Sequence, residues 1–376
     1  MAQMTTGAPG WDRFAGVSRP VAAAVLSLLA LLMVGGAAGG VGREHVAVAK
    51  PSSAQFDGLV GDHALYARIA ERVEAGESYY AAAAAEHRAG NYPLRPFFAV
   101  RLPTLAYIVA ALGEQEAMLL FLVIGGAAIL AWYRRLRIEP ALPRYAAVGA
   151  LFVAANLTQL AAREWLFIHE AAAGVLLALA LALYRPGRPW WTMAIVAAAL
   201  AIRETMLPVA MLFGLFALID RDWRAAAGWL AIGLSFAAGL GAHIAALAAV
   251  TTPADAASQG WNGQGGWIAY LSFVQASSLL RFFAGWGGAL LVPLALLGWA
   301  AWRSRLGLAV LLIQLGYAAL LMLFARPANF YWAMLVTPTL FIGLAFAPAA
   351  LTALVRSLLR PRPAIPAAAV EGVRLN

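Results

Sequence analysis

The sequence predicts an all-α polytopic membrane protein, and three observations carry that prediction. Of its 376 residues, 63% are hydrophobic and only 12% charged, about half the charged share of a soluble domain. Apolar runs recur between positions 21 and 347 at the length of about 17–25 residues that a helix needs to cross a bilayer. The basic residues also gather in alternate loops, as the positive-inside rule requires.

Taken in order, the apolar runs give ten spans, at 21–41, 115–133, 145–161, 165–184, 190–202, 205–219, 225–250, 284–302, 307–324 and 330–347. They form one integral membrane domain over 1–376. The first span follows Arg13 and Arg19. Its apolar stretch exceeds the roughly 7–15 residues of a signal-peptide core, so it reads as an anchor. With both termini cytoplasmic, 16 arginines and five acids fall inside, and 11 basic residues and 13 acids outside. That divides the net charge of +9 into +11 and −2. Arg134-Arg135-Leu136-Arg137 is one inner anchor, and the charge is a topology signal rather than a nucleic-acid patch.

Two extracytoplasmic loops are expected, at 42–114 and 251–283. In the first, Leu65, Tyr66, Ile69, Ala70 and Val73 share one helical face, while Arg68, Glu71, Arg72 and Glu74 lie opposite. This predicts an amphipathic helix at the membrane surface, with Asp62 as its N-cap accepting from the backbone of Leu65. A second, Ala-rich surface helix is expected over 79–88, before the breaks at Asn91-Tyr92-Pro93 and Arg95-Pro96. The run 102–112 is too short to span and reads as interfacial or re-entrant. The segment 267–283, interrupted by Gln275, Ser277 and Ser278, is expected on the outer surface. Two hairpins turn at the outer face on Arg163-Glu164 and Arg203-Glu204, where a salt bridge within each pair would close the turn. One long helix over 190–219 is the alternative to the second hairpin.

The chain contains no cysteine, which excludes disulfides, thiolate metal sites and thiol nucleophiles. Walker, HExxH, GxSxG and Rossmann glycine patterns are missing, and the five histidines do not cluster. No metal-binding residue is assigned.

Asp62 stands out as an acid placed just outside the first span, where a proton acceptor would meet a lipid-tethered reactant. Capping a helix and acting as a base are compatible, and Asp57 is the reserve candidate. Ionisable groups at the edge of apolar spans, namely Arg163, Glu164, His169, Glu170, Arg203, Glu204 and His243, cost several kcal/mol unless they pair or face a polar chamber. In such a chamber arginines would bind phosphate bidentately, and Glu170 or Glu204 would hold hydroxyls. His243 reads as a satisfied helix residue. The run Arg326-Pro327-Ala328-Asn329-Phe330-Tyr331-Trp332 reads first as an aromatic belt with a snorkelling arginine. The glycine-rich stretch 259–267, flanked by Trp261 and Trp267, reads as a mobile lid that stacks on a sugar ring or as a flexible loop with interfacial anchors.

Asp62-His63-Ala64-Leu65-Tyr66-Ala67-Arg68-Ile69-Ala70 resembles the Asp-Glu-x-x-Tyr-Ala-x-Ile-Ala stretch that follows the first span of bacterial GT-C glycosyltransferases, including the aminoarabinose and mannosyl transferase group. The order after it is also similar: two surface helices, a basic residue with proline at Arg101-Leu102-Pro103-Thr104, a short apolar helix and a true span. The resemblance covers residues 10–220. It implies a GT-C-like fold in a bacterial inner membrane, with an extracytoplasmic active site and a polyprenyl-phosphate sugar as donor. It also implies Asp62 as general base and transfer with inversion to an acceptor hydroxyl on a glycan, lipid or protein. Arg101, Arg163, Arg203 and Arg326 would bind the donor phosphate. His63, Tyr66, Glu164, His169, Glu170 and Glu204 would line the substrate site. His63 stands where the family has a second acid, which removes the paired carboxylates a divalent metal would use. Other readings are a transporter or flippase for a lipid-linked or anionic substrate, and a non-catalytic membrane subunit.

Overall fold

The computed structural model describes residues 11–39, 53–139 and 142–360. The side chains of 53–60 lie outside this description, and Asp57 with them. Among the described residues the chain is helical, with no strand beyond two isolated bridges, Asp12 to Trp302 and Arg95 to Ala257. Four helices are long and apolar enough to cross a membrane: α1 (Arg19–Ala38), α5 (Glu114–Ile138), α11 (Trp223–Val250) and α14 (Arg305–Phe324). Shorter helices accompany them: α6 (Ala146–Leu157), the single turn α7 (Arg163–Leu166), α8 (His169–Leu183), α9 (Trp190–Ile202), α10 (Leu207–Ile219), α13 (Trp286–Ala301) and, after α14, α16 (Gly343–Leu359). Helix α5 packs between α6 and α8, α8 packs in turn on α9, and α13 is flanked by α1, α14 and α16.

The segment between α1 and α5 contributes α2 (Ser53–Glu74), α3 (Tyr79–Ala89) and α4 (Thr104–Leu112). The predicted register of α2 is observed, with Leu65, Tyr66, Ile69 and Ala70 buried and Arg68 exposed. The N-cap role of Asp62 is not: the helix begins nine residues earlier, at Ser53, and runs through Gly61. A side chain at Gly61 would collide with the Tyr92 hydroxyl, so this glycine marks a close approach and not a helix start. Helix α3 matches its prediction, and the Ser78 side chain caps it by accepting from the Ala81 N–H.

The one-helix alternative over 190–219 is ruled out, because Arg203 is extended (φ −142°, ψ 113°) and separates α9 from α10. The last expected span, 330–347, is replaced by an irregular dip. A 3-10 segment, Pro327–Leu335, leads through α15 (Thr337–Leu340) into α16. Non-helical backbone enclosed among apolar helices persists only where protein satisfies its polar groups. Here Ser277 Oγ donates to the Phe330 carbonyl (2.7 Å), Gln314 Nε2 to that of Val336 (3.1 Å), and Trp299 Nε1 to that of Leu340 (3.0 Å).

The same requirement corrects the placement of 267–283. Helix α12 (Gly266–Ala276) is not on the surface: Tyr270 through Gln275 are buried against the 3-10 segment, α13 and α14. Its polar interruptions serve irregular backbone, with Ser277 on Phe330 and Gln275 Nε2 on the carbonyls of Phe283 and Ala284. The preceding loop is fastened rather than free to act as a lid. Leu94 N–H donates to Ala256 (3.0 Å), Ser258 N–H to Arg95 (2.7 Å), and Arg88 pairs with Asp255 (2.7 Å).

Candidate functional site

Five separate stretches bring their polar side chains to one place. Asp62 comes from the middle of α2 and Arg101 from the extended chain ahead of α4. Glu170 comes from the first turn of α8, Arg203 and Glu204 from the break between α9 and α10, and Tyr331 from the 3-10 segment. The Tyr331 hydroxyl donates to Asp62 Oδ2 (2.9 Å) and accepts from Arg101 Nη2 (3.3 Å). The same Arg101 Nη2 lies 3.5 Å from Glu170 Oε1, to which Arg203 Nε donates at 2.8 Å. Arg203 Nη1 completes the chain by donating to Glu204.

Local structure fixes each member. The Arg101 carbonyl accepts from the Tyr79 hydroxyl (2.6 Å), locking α3 to the arginine's backbone. Glu170 lies at a helix N-terminus, where the unsatisfied N–H groups favour a carboxylate. Arg203 takes the extended conformation that its position between two helices demands, and its guanidinium lies 5.8 Å from the Trp332 ring centre. Tyr66 meets the His169 ring edge-on at 5.1 Å, with the Arg101 guanidinium 6.0 Å from its centre. Ions this deep persist only when paired and hydrogen-bonded, and the alternation of carboxylate and guanidinium meets that condition.

Burial raises the Asp62 carboxyl above its ordinary value of 3.8; Arg101 and the Tyr331 hydrogen bond pull it partly back, and Glu170 pushes it up. Among the described residues no hydrogen bond engages Asp62 Oδ1. Arg101 Nε is likewise buried with no partner. The site thus presents one basic oxygen and one guanidinium N–H with bonding capacity to spare.

Of the predicted residues, Asp62, Tyr66, Arg101, His169, Glu170, Arg203 and Glu204 assemble here. The others go elsewhere. Arg163, 56% exposed, pairs with Glu114, so the expected Arg163–Glu164 closure is not formed. Glu164 is exposed. His63 packs edge-on against Phe167 (5.1 Å), its pKa lowered by burial and then by Arg163. Arg326 donates to Gln259 (3.1 Å) and lies over the Trp261 ring. His243 is satisfied as expected, its Nδ1 3.2 Å from the Tyr80 hydroxyl. Tyr331, Tyr79 and Trp332 were not foreseen as site residues. The run 326–332 did carry a signal, a tyrosine beside a proline break, which an aromatic-belt reading absorbs.

An apolar groove of about 700 Å³ is lined by the residues that follow Arg101 in the chain and by Ala201, two residues before Arg203, but by no member of the cluster itself. Leu102, Pro103 and Thr104, directly after Arg101, form one wall, with Leu200 of α9 and Ile232 and Phe236 of α11 opposite. The Thr104 hydroxyl donates to the Ala201 carbonyl (2.6 Å), tying that wall to α9.

No protein family, curated protein or solved structure matches this chain. Among the described residues no three His, Asp or Glu side chains gather at metal-ligand spacing.

Proposed function

We propose that this protein is an integral membrane glycosyltransferase that moves a sugar from a polyprenyl-phosphate donor to an acceptor hydroxyl, with inversion and with Asp62 as general base. Ten membrane segments with cytoplasmic termini would put the Asp62 cluster at the extracytoplasmic rim. The carrying observation is the under-bonded carboxylate and guanidinium held in one buried cluster, with an apolar groove lined by Leu102, Pro103 and Thr104 directly after Arg101 in the chain. A lipid-linked phosphate needs that combination, since its tail requires apolar cover and its head a cation at the mouth.

In this reading the acceptor oxygen attacks the anomeric carbon from the face opposite the phosphate. Asp62 Oδ1 takes the hydroxyl proton as the new C–O bond forms. The bond from the anomeric carbon to the phosphate oxygen breaks, and the lipid phosphate leaves with the electron pair. Arg101 stabilises the growing negative charge through its spare N–H. Arg203 positions Arg101 indirectly by sharing Glu170 with it. The Tyr331 hydroxyl holds Asp62 in orientation.

The test is Asp62→Asn, which keeps size and a hydrogen-bonding oxygen. Transfer from lipid-linked sugar should fall by about 10²–10⁴-fold, the usual weight of general base catalysis, while lipid-linked sugar accumulates in the membrane. Undiminished transfer by a folded Asp62→Asn protein removes the base role.

A further inference from the structure

Beyond the Asp62 cluster, three chain segments meet around Trp261. Its ring centre lies 4.7 Å from that of Phe98, at an interplanar angle of 51°. Arg326 lies over its face at 5.7 Å and donates to Gln259 Oε1 at 3.1 Å. Phe98 is exposed and Trp261 half-exposed, with Gln259 and Asn262 exposed at their edge. Arg326 Nε is buried with no hydrogen-bond partner. Partly exposed aromatic rings fringed by primary amides and a guanidinium suit a pyranose: its C–H face stacks on the ring surface left uncovered, and its vicinal hydroxyls match the amide and guanidinium groups.

This platform is preorganised. Asp255 is gripped by Arg88 and accepts from Thr252 N–H (2.7 Å), and the Asp255 carbonyl accepts from Arg95 Nε (3.0 Å). Gln264 N–H donates to the Leu323 carbonyl (3.1 Å), and a side chain at Gly263 would collide with the Ala325 carbonyl. The loop therefore seats tightly on the strand of chain that carries Arg326.

It is also connected to the cluster by two short stretches. Phe98 precedes Arg101 by three residues, a span of about 10 Å at most. Arg326 precedes Tyr331 by five residues of 3-10 segment, again about 10 Å. The far ends of both stretches are joined by the Arg101–Tyr331 hydrogen bond. The platform and the cluster are thus joined through the chain itself, by about 10 Å of backbone on each side.

We propose that Trp261, Phe98, Arg326 and Gln259 form a saccharide subsite that holds a ring of an oligosaccharide acceptor. Its assignment to the acceptor rests on the transferase reading; the binding itself does not. The experiment uses the full chain in detergent micelles and saturation-transfer NMR with trisaccharides of glucose, mannose and N-acetylglucosamine as probes. At least one probe should bind, and Trp261→Ala or Arg326→Gln should weaken it tenfold or more. Trp261→Phe should restore most of the affinity, and Trp191→Ala, an exposed tryptophan outside the platform, should change nothing. Transfer by Asp62→Asn is assayed separately from probe binding, so loss of the transferase reading and loss of the subsite register separately. The proposal is overturned if no trisaccharide binds, or if binding survives Trp261→Ala and Arg326→Gln. It is equally overturned if those variants alter only partition into lipid vesicles, the behaviour of an interfacial anchor.

Discussion

Arg163-Glu164 and Arg203-Glu204 occupy the same place in two consecutive hairpins, each at the turn between apolar helices. In the second pair the arginine side chain is 2% exposed and bridges Glu170 and Glu204 inside the protein. In the first, the arginine is 56% exposed, turns away from its neighbour and pairs with Glu114 from another helix. The dipeptide is the same and the surroundings differ: Trp332 of the 3-10 segment, Thr104 at the start of α4 and Glu170 of α8 crowd the second turn, whereas the first leaves its arginine in the open. A guanidinium in water gains little from a partner, whereas one held out of water depends on its partners entirely.

The comparison is sharpened most by Arg203→Met, which takes the arginine from Glu204 and leaves Glu170 only the longer Arg101 contact at 3.5 Å. Thermal or denaturant unfolding in micelles should show a loss of about 3–5 kcal/mol, the cost of breaking a buried pair. Arg203→Met combined with Glu170→Gln should recover part of that loss, because one poorly paired charge goes with it. Equal damage from the double and single variants would mean that the arginine acts through packing alone.

Next in size is a pH effect. Because burial sets the Asp62 pKa above 3.8, the base is ionised only above that raised value. Transfer activity should therefore fall as pH drops through it, on a limb displaced upward from that of an ordinary aspartate. The same shift has the opposite sign for folding: protonated Asp62 favours the native state, so its contribution grows as pH falls through that pKa and is lost as pH rises through it. Arg101→Met removes the main opposing charge, so it should move the activity limb further up; an unmoved limb would separate Asp62 from the proton transfer.

The smallest effect is expected at the open turn. Arg163→Ala should cost no more than about 1 kcal/mol, and less at high salt, as exposed ion pairs do. A loss as large as that of Arg203→Met would erase the distinction between the two hairpins.

Much of this arrangement is legible in the chain. The face of α2 formed by Leu65, Tyr66, Ile69 and Ala70 follows from helical spacing. The helical, membrane-compatible character follows from run length and composition. Asp62, Arg101, Glu170 and Arg203 are conspicuous because ionisable groups beside apolar runs need partners. The start of α2 was misread because Gly61 looks like punctuation, whereas its missing side chain makes room for Tyr92. The interior position of α12 was missed because Gln275 and Ser277 look like surface residues until the irregular backbone they serve is known.

The sequence by itself determined which residues are apolar enough to form helices and which charged groups would be costly to leave alone, since both depend on local chemistry and short periods. Only the tertiary structure decided how those charges were shared. Tyr331 reaches Asp62 from 269 positions away, and Arg163 and Arg203 part company according to what packs over each. Burial and hydrogen-bond pairing are properties of distant segments meeting, and no period within one segment encodes them.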